Sequence, residues 1–309
     1  MEHIIFMGTP RFGQMILEAL IGHYEIAAVV TQPDRQAGRG RKTVMSPVKA
    51  LALAHNLPVL QPLKVRQPEV VQQLRDLAPT VIVVAAFGQI LPPSILSIPR
   101  YGCLNVHASL LPRHRGAAPI PAAILAGDRQ TGVTIMLMDE GLDTGPIVSQ
   151  AAIEIHPDDT TASLTEKLGH LGGQLVLDTL PRWLAGEIAP QKQDEQGVTY
   201  SRLLRKEDGR ISWTESAVLI ARKCRAFYPW PTTFTFWGER ELKILRARAL
   251  PTQQAKGVTG TVVQINSEVA VVTGDGLLIL EEVQLAGKRP LTIAEFVRGQ
   301  RSFVGSVLY

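Results

Sequence analysis

Residues Cys103 to Pro121 read CLNVHASLLPRHRGAAPIP, an apolar strand that runs directly into a polar loop. Asn105 and His107 are two positions apart, and side chains of a strand alternate between its faces. An amide and an imidazole therefore point from the same face at one spot. We take this strand as the centre of an α/β fold and interpret the rest of the chain from it.

A carboxylate at Asp143 follows in the loop GLDTG, Gly141 to Gly145. A neutral histidine needs a partner that raises its basicity and fixes its tautomer, and Asp143 is the natural partner for His107. The Asn105 amide and a protonated His107 can both donate to an oxyanion that forms on a carbonyl, as acyl or formyl transfer requires. Each residue taken alone also has an ordinary structural role, because Asn and Asp are common in turns and caps.

Two long motifs, in this order, carry a resemblance to a known family. NVHxSLLPRxRGAAPI at Asn105 to Ile120 and GVTIMxMDxGLDTG at Gly132 to Gly145 resemble the signature of the folate-dependent formyltransferases. The resemblance implies that Asn105, His107 and Asp143 carry transfer of a formyl group from 10-formyltetrahydrofolate to an amine, without a metal. The implied folate-binding residues are Phe87, Gly88, Ile90, Leu91, Ser109, Leu110, Leu111, Pro112, Met138, Asp139, Glu140 and Gly141.

The run VIVVAAFG at Val81 to Gly88 predicts a strand buried on both faces. Ligands of open α/β sheets lie beyond the carboxyl ends of the strands, so the backbone of residues 86–91 is a candidate wall for a flat pterin ring. A plain transition from strand to loop is the alternative interpretation.

The chain begins with a strand, a glycine turn GTPRFG and a helical pattern, which predicts a Rossmann-like α/β opening with a mostly parallel sheet. The turn lacks the G-x-G-x-x-G and P-loop patterns, so we interpret Gly8 and Gly13 as residues of a tight turn and not as a nucleotide site.

Composition sets outer limits. The chain has 309 residues, of which 45% are hydrophobic and 19% charged, and this predicts a globular protein of about two domains. No apolar run approaches the roughly 20 residues of a membrane span, and no signal-peptide pattern is visible, so we expect a cytoplasmic protein. Cys103 and Cys224 lie far apart in sequence, which indicates neither a disulfide framework nor a zinc site.

The segment TQPDRQAGRGRKTVMSP at Thr31 to Pro47 is unusually long for a connection in an α/β unit, and it is basic. Composition alone favours a solvated, mobile face. However, PDRxAGRG resembles an insertion, here residues 32–46, by which tRNA-formylating members of the family reach the acceptor end of initiator tRNA. The residues that the resemblance assigns to tRNA are Arg35, Arg39, Arg41 and Lys42, together with Lys206 further on.

A long amphipathic helix is predicted from about Thr161 to Leu184, although its internal glycines weaken the pattern. We expect a catalytic domain at 1–189, a linker at 190–206 and a C-terminal domain at 207–309. Short strands with Gly and Pro turns predict an OB-like β-barrel for the last of these.

The C-terminal domain is slightly basic, with 13 Lys and Arg against 10 Asp and Glu. RAFYPWPTTF at Arg225 to Phe234 and VTGDG at Val272 to Gly276 resemble the tRNA-holding domain of the tRNA-formylating members. Trp230 and Trp237 are candidates for base stacking, but we favour buried core positions for both.

The predicted reaction is formylation of the α-amine of methionyl initiator tRNA by a monomeric enzyme. Two alternatives remain open at this point. One is a formyltransferase for a small amine, such as an amino-sugar nucleotide or glycinamide ribonucleotide, and the other is an inactive RNA-binding protein. The basic loop and barrel argue against the first, and the intact set of Asn105, His107 and Asp143 argues against the second.

Overall fold

The computed structural model describes residues 2–37, 42–252 and 257–309. The chain forms two compact units. The N-terminal unit comprises Met1–Pro119, Gln130–Glu154 and Leu164–Arg202, and the C-terminal unit comprises Ile120–Arg129, Ile155–Ser163 and Leu203–Tyr309. Within the described ranges, the helices are too short or too polar to cross a membrane.

The first part of the chain alternates strands and helices. In chain order these are β1 (His3–Gly8), α1 (Arg11–Leu20), β2 (Glu25–Val30), β3 (Arg35–Ala37), β4 (Lys42–Val44), α2 (Pro47–Ala54), β5 (Val59–Leu60), α3 (Pro68–Asp76), β6 (Val81–Ala85), α4 (Pro93–Leu96), β7 (Cys103–His107), β8 (Arg115–Gly116), α5 (Pro119–Ala126), β9 (Gln130–Leu137), β10 (Ile147–Glu154), α6 (Thr161–Leu184) and β11 (Tyr200–Ser201).

A seven-stranded sheet in the order β10-β9-β7-β6-β1-β2-β5 forms the core of the N-terminal unit. The strands from β7 to β5 run parallel, whereas β9 and β10 are antiparallel additions. This confirms the predicted α/β class with a mostly parallel sheet. Val84 of β6 pairs with Asn105 of β7, so both strands end at the same edge of the sheet.

The glycine turn after β1 owes its composition to packing. A Cβ on Gly8 would lie 2.9 Å from the carbonyl oxygen of Ala85, and a Cβ on Gly13 would lie 2.6 Å from the same oxygen. Both glycines therefore let the start of α1 approach the end of β6, and neither has a positive φ angle.

Helix α6 has the bounds that the pattern predicts, and its glycines face α1. Cβ atoms on Gly169 and Gly172 would lie 2.3 Å from Met15 Sδ and 2.8 Å from Ile16 Cδ1. The glycines weaken intrinsic helix propensity but allow the two helices to pack closely.

The basic segment is a hairpin in part and not a plain loop. β3 and β4 pair antiparallel, with Arg35 opposite Val44. The tip, which holds the predicted tRNA-binding residues Arg39 and Arg41 and the glycines expected to make it mobile, lies outside the described residues.

The C-terminal unit is built on an antiparallel sheet. Its elements are a 3-10 helix (Lys206–Gly209), α7 (Ala217–Ala226), β12 (Thr233–Trp237), β13 (Arg240–Leu250), β14 (Val262–Ile265), β15 (Glu268–Val272), β16 (Leu277–Leu285), β17 (Leu291–Thr292) and α8 (Ile293–Gly299). The strand order is β12-β13-β16-β15-β14, with β17 beside β16.

The last residues of the chain join the two edge strands of this sheet. Leu308 bridges to Trp237 at the end of β12, and Val307 bridges to Thr261 just before β14. These bridges close the sheet into a barrel, which is the predicted architecture.

The barrel core separates the two tryptophans. Trp237 is buried, with its ring centroid 5.3 Å from that of Phe303 and 6.0 Å from that of Phe296. Trp230 is 54% exposed, so the core position predicted for it is wrong. The cis prolines Pro229 and Pro231 flank Trp230 in a turn.

The segment predicted as a linker makes specific contacts with the N-terminal unit. Gln191 pairs with Ile147 through two backbone hydrogen bonds of 2.7 Å. Strand β11 pairs parallel with β8, and the buried side chain of Gln193 reaches the loop after β9. The domain limits at 189 and 207 remain a prediction.

Candidate active site

Asn105 and Asp143 are in direct contact. The side-chain amide of Asn105 donates to Asp143 Oδ1 across 3.2 Å. Asn105 lies in β7, which is buried along its whole length, and the loop after β9 brings Asp143 to it. The sequence predicts that Asp143 joins Asn105 and His107, and the structure places it in contact with Asn105.

The imidazole of His107 lies between two oxygen atoms. Its Nδ1 is 3.6 Å from Asp143 Oδ2, and its Nε2 is 3.0 Å from the carbonyl oxygen of His114. A carboxylate and a carbonyl can only accept hydrogen bonds. Both ring nitrogens thus face acceptors, and Nε2 is the one within hydrogen-bonding distance of its acceptor.

Asp143 is held by its backbone and by its carboxylate. Its φ angle is +53°, in the left-handed region that Asp and Asn tolerate better than most residues. Its Oδ2 accepts the backbone N–H of Gly116 at 2.7 Å. The side chain of Asp143 is 13% exposed and that of His107 is 6% exposed. The carboxylate is thus the more accessible of the two groups to a substrate.

Gln193 and Arg115 complete this neighbourhood, and motif reasoning assigned them no role. Gln193 Nε2 donates to the carbonyl oxygens of Asp143 and Gly145, while the Arg115 guanidinium donates to Gln193 Oε1. The side chain of Gln193 binds main-chain carbonyls of the loop, and no local sequence pattern marks such a contact. The RG dipeptide of the recognised motif was the available signal for Arg115.

The first group of predicted folate residues follows β6. Phe87 and Leu91 are buried and share a hydrophobic cluster with Met138, so the structure brings these three together. Ile90 is 86% exposed, and Gly88, which has a φ angle of +85°, is also exposed. This part of the sheet edge offers main-chain atoms and Ile90 to a ligand, because the Phe87 and Leu91 side chains are already packed.

The second group, Ser109 to Pro112, is anchored by internal hydrogen bonds. Ser109 is fully buried, and its hydroxyl donates to the carbonyl oxygen of Arg113 at 2.6 Å. The hydroxyl of Thr134 joins two points of the segment, donating to Ser109 O and accepting from Leu111 N. The Ser109 hydroxyl is thus bound within the fold and the Leu111 side chain is buried, whereas Leu110 and Pro112 are half-buried.

The third group begins the loop that ends at Asp143. Asp139 Oδ1 accepts from Gly141 N at 3.0 Å and from the Thr144 hydroxyl at 2.7 Å, which makes a compact turn. Glu140 and Gly141 are exposed. This turn supports Asp143 and also presents polar atoms to solvent.

The residues predicted to bind tRNA fall in different parts of the fold. Arg35 is exposed in β3 of the N-terminal unit, and Lys206 is exposed in the 3-10 helix of the C-terminal unit. Asp34, the acid of the basic segment, is bound by Lys49 at 2.6 Å, and this hydrogen bond lowers its pKa. Lys42 lies in β4, and the structure describes only its backbone.

A basic pocket of about 800 Å³ lies within the C-terminal unit, beside α7 and β13. Its charged lining consists of Arg222, Arg225, Arg246, Arg248, Asp158 and Glu281. Arg246 and Arg248 lie 3.5 and 3.6 Å from Glu281, whereas the pKa of Arg225 is lowered by burial and by the nearby charge of Arg222. Burial is the larger of these two causes, and the charges of Asp159 and Asp158 act in the opposite direction.

The two cysteines are free and buried. Burial raises the pKa of Cys103 to about 12 and that of Cys224 to about 11, so neither thiol is an activated nucleophile. The described ranges contain no cluster of three or more His, Cys, Asp or Glu side chains arranged to hold a metal ion.

Comparison with known families covers most of the chain. Residues 2–180 match the family described as formyl transferase, and residues 203–301 match the family described as formyl transferase, C-terminal domain. The two matches fall on the α/β region and the barrel region in the predicted order.

Curated relatives match nearly from end to end. The chain is 47% identical over 307 residues to a methionyl-tRNA formyltransferase of Geobacter sulfurreducens, covering 99% of the chain and 96% of that protein. It is 48% identical over 299 residues to a methionyl-tRNA formyltransferase of Chloroflexus aggregans, covering 96% of each.

Solved structures share the fold at much lower identity. An N-formyltransferase from Helicobacter canadensis, in complex with folinic acid and dTDP-3-aminofucose, superposes with a TM-score of 0.67 at 18% identity, covering 91% of this chain and 98% of that one. HypX from Aquifex aeolicus in complex with tetrahydrofolic acid gives a TM-score of 0.61 at 18% identity, covering 97% of this chain and 48% of that one.

Proposed function

The chain belongs to the formyl transferase family, and on that premise we propose that it formylates the α-amine of methionyl initiator tRNA with 10-formyltetrahydrofolate as the donor. The observation that carries the proposal is the position of the Asp143 carboxylate, which accepts a hydrogen bond from Asn105 and lies 3.6 Å from His107 Nδ1. Full-length relatives named for this reaction support the choice of acceptor.

The chemistry needs no covalent enzyme intermediate. The neutral amine attacks the formyl carbon, a new C–N bond forms, and the carbonyl oxygen becomes an oxyanion. The tetrahedral adduct then releases the folate nitrogen N10, while the amine loses a proton and N10 gains one. Holding both substrates in line supplies a large part of the acceleration.

Each residue of the cluster has one role. One N–H of the Asn105 amide is bound to Asp143, and the other can donate to the oxyanion. His107 is the second donor: its Nε2 is within hydrogen-bonding distance of the His114 carbonyl oxygen, whereas its Nδ1, 3.6 Å from Asp143 Oδ2, is the nitrogen that can donate to the oxyanion. Asp143 lies beside the His107 ring and passes the amine proton towards N10, and its partial exposure suits this contact with substrate.

We place the folate donor along the sheet edge, against the backbone of residues 86–91, the Ser109 to Pro112 segment and the turn from Met138 to Gly141. The shared packing of Phe87, Leu91 and Met138 supports this placement, because it puts two of the three segments side by side. A pterin ring would lie against main-chain atoms near Gly88 and would hydrogen-bond to them.

We assign tRNA binding to the basic hairpin of the N-terminal unit and to basic surfaces of the barrel. Arg35, Arg39, Arg41, Lys42 and Lys206 are the proposed contacts. The pocket around Arg222 and Arg246 supports the same role for the barrel, because phosphates are the anions that an RNA supplies. We further expect a cytoplasmic monomer that works without a metal.

The test is transfer of labelled formyl from 10-formyltetrahydrofolate to a panel of acceptors. Methionyl initiator tRNA, methionyl elongator tRNA and an amino-sugar nucleotide are compared at equal concentration. Label on initiator tRNA, with little on the others, is the expected result. Label on the amino-sugar alone would reassign the acceptor, and the absence of label on every acceptor would contradict the proposed activity.

A further inference from the structure

The side chain of Gln193 connects the Asp143 loop to a buried arginine. Its Nε2 donates to Asp143 O at 2.8 Å and to Gly145 O at 2.7 Å. Its Oε1 accepts from Arg115 Nε at 3.0 Å and from Arg115 Nη2 at 2.8 Å. Gln193 is 3% exposed and Arg115 is 1% exposed. Both N–H groups of this amide therefore donate to the loop, and its oxygen accepts from the Arg115 guanidinium.

The loop needs such a support because of its backbone. Asp143 has a left-handed φ angle, and Gly145 lies so close to Leu137 that a Cβ would be 1.8 Å from its carbonyl oxygen. The carbonyls of residues 143 and 145 both accept from Gln193, and without that donor one buried and one partly buried acceptor would lose this hydrogen bond. Fixing these two carbonyls fixes the peptide from which the Asp143 carboxylate extends.

Arg115 strengthens the hydrogen bonds that Gln193 donates to the loop. A guanidinium that donates twice to an amide oxygen polarises the amide, which makes its N–H groups better donors. The neighbouring Gly116 N–H donates to the Asp143 carboxylate. The dipeptide Arg115–Gly116 thus acts on Asp143 twice, once at the carboxylate and once, through Gln193, at the backbone.

We propose that Gln193 and Arg115 are positioning residues that hold Asp143 in the geometry required for formyl transfer. The proposal rests on the proposed function, because Asp143 is the group they hold. It assigns a role in the reaction to a side chain in the segment whose composition predicts a linker.

The first test is Gln193→Met, which keeps the side-chain length and removes the amide. We expect kcat for formylation of methionyl initiator tRNA to fall about 10- to 100-fold, as for other supporting hydrogen bonds around a reacting group. KM for each substrate should change by less than about threefold. The matched control is Gln191→Met in the same segment, where the side chain is exposed and activity should be unchanged.

A double-mutant cycle separates positioning from a general structural effect. If Gln193 acts through Asp143, then Gln193→Met should cost little further activity in an Asp143→Asn background. Full additivity of the two losses would overturn the proposal, as would wild-type kcat in Gln193→Met. Arg115→Lys keeps the charge but loses the paired donation, so it should lower kcat in the same direction.

A crystal structure of Gln193→Met gives a readout that does not depend on turnover. The distance from Asn105 Nδ2 to Asp143 Oδ1, 3.2 Å in the wild type, should lengthen beyond hydrogen-bonding range. An unchanged distance would contradict the positioning role. An inactive wild-type protein would contradict the proposed function instead, and this structure would then still decide the positioning role.

Discussion

Asn105 has an amide N–H beyond the one that it donates to Asp143. Its amide nitrogen has two N–H groups, and the structure shows one of them bound to Asp143. The strand around it is buried, so a substrate oxygen that reaches this amide is shielded from water. Shielding makes each donated hydrogen bond worth more in the transition state.

Asn105→Ala should therefore reduce catalysis rather than binding. We expect kcat to fall about 10²- to 10³-fold, the usual effect of deleting one oxyanion donor. KM for folate and for tRNA should stay close to wild type, since the lost contact forms in the transition state. Steady-state kinetics with both substrates measure this split, and a variant with raised KM and normal kcat would show that Asn105 only binds substrate.

Residues of the centre differed in how well the sequence predicted them. The two-residue spacing of Asn105 and His107 indicates a shared face, because alternation is a property of any strand. Chemical need predicts Asp143 as the partner of His107, whereas the structure places its carboxylate 3.6 Å from His107 Nδ1 and in hydrogen-bond contact with Asn105. Gln193 was not predicted, because its partners in the loop are main-chain carbonyls that leave no trace in residue types.

At the scale of elements, helix α6 shows why a weak helical pattern can still be a long helix. Gly172 faces three side chains, Ile16 of α1, Val106 of β7 and Val133 of β9. Val106 lies between Asn105 and His107, so α6 packs directly behind the strand that presents the site. The loss of helix propensity at Gly172 is offset by this packing.

Gly172→Val should destabilise the N-terminal unit by about 1 to 3 kcal/mol, because the added atoms overfill a packed interface. The transition midpoint in thermal denaturation measures it. Gly299→Ala is the control, since a Cβ there would meet nothing within 4 Å and the exchange should change little. Equal midpoints for Gly172→Val and wild type would contradict the close packing of α6.

The same pair of helices is joined at the surface by Arg11 and Glu166, which form two hydrogen bonds of 2.8 Å. Both side chains are nearly half exposed, so the pair should contribute less than about 1 kcal/mol. The hydrogen bond from Arg11 lowers the pKa of Glu166 below its ordinary value of 4.5. A carboxyl with a depressed pKa stabilises the fold above its unfolded pKa, and this contribution is lost as pH falls through the folded pKa.

Glu166→Gln should thus be slightly less stable than wild type at neutral pH and equally stable in acid, below the folded pKa. Urea denaturation of both proteins at the two pH values measures the difference. A stability difference that grows towards low pH would have the wrong sign for this ion pair.

Elements that depend on distant partners were the hardest to predict. The bridges of Leu308 and Val307 to the two edge strands join residues far apart in the barrel domain. No local sequence pattern marks these two residues as the ones that close the barrel. Composition predicts a loop for the segment that holds the β3–β4 hairpin, because the segment is rich in Gly and Arg. Helix α6 and the strands β6 and β7 were predictable, since their apolar patterns are long or continuous.

At the scale of the whole molecule, charge is distributed unevenly in a way that suits RNA. The net charge is +4, and the barrel domain from Glu207 onward carries 13 basic against 10 acidic residues. Four arginines of this domain line the pocket beside two acids, Glu281 and Asp158. An excess that small gives weak general attraction, so the local cluster matters more than the total.

The double variant Arg222→Gln and Arg246→Gln should weaken productive use of tRNA. We expect KM for initiator tRNA to rise several-fold. The slope of log affinity against log salt concentration should become shallower by up to about 2, because each lost phosphate contact removes about one unit of slope. Arg298→Gln on α8 is the control, since its Nε donates to a carbonyl of its own helix. An unchanged salt slope in the double variant would exclude the pocket from the tRNA surface.

The division into two units is a whole-molecule property, and the domain limits expected from the sequence stay a prediction. Composition marked a boundary near residue 190, and family matches cover both regions. The clustering of Ile120–Arg129 and Ile155–Ser163 with the C-terminal unit has no counterpart in composition. Contacts between segments remote in sequence decide such membership, and residue types along one stretch do not record them.

The most direct test of the account is the single-turnover rate of formyl transfer to methionyl initiator tRNA, measured for wild type and for Asp143→Asn with both substrates prebound. Asparagine keeps the size of the side chain but replaces one acceptor oxygen by a donor beside His107. We predict a rate about 10²- to 10⁴-fold below wild type with tRNA affinity preserved. A rate within about threefold of wild type would contradict the central role of the Asp143 carboxylate.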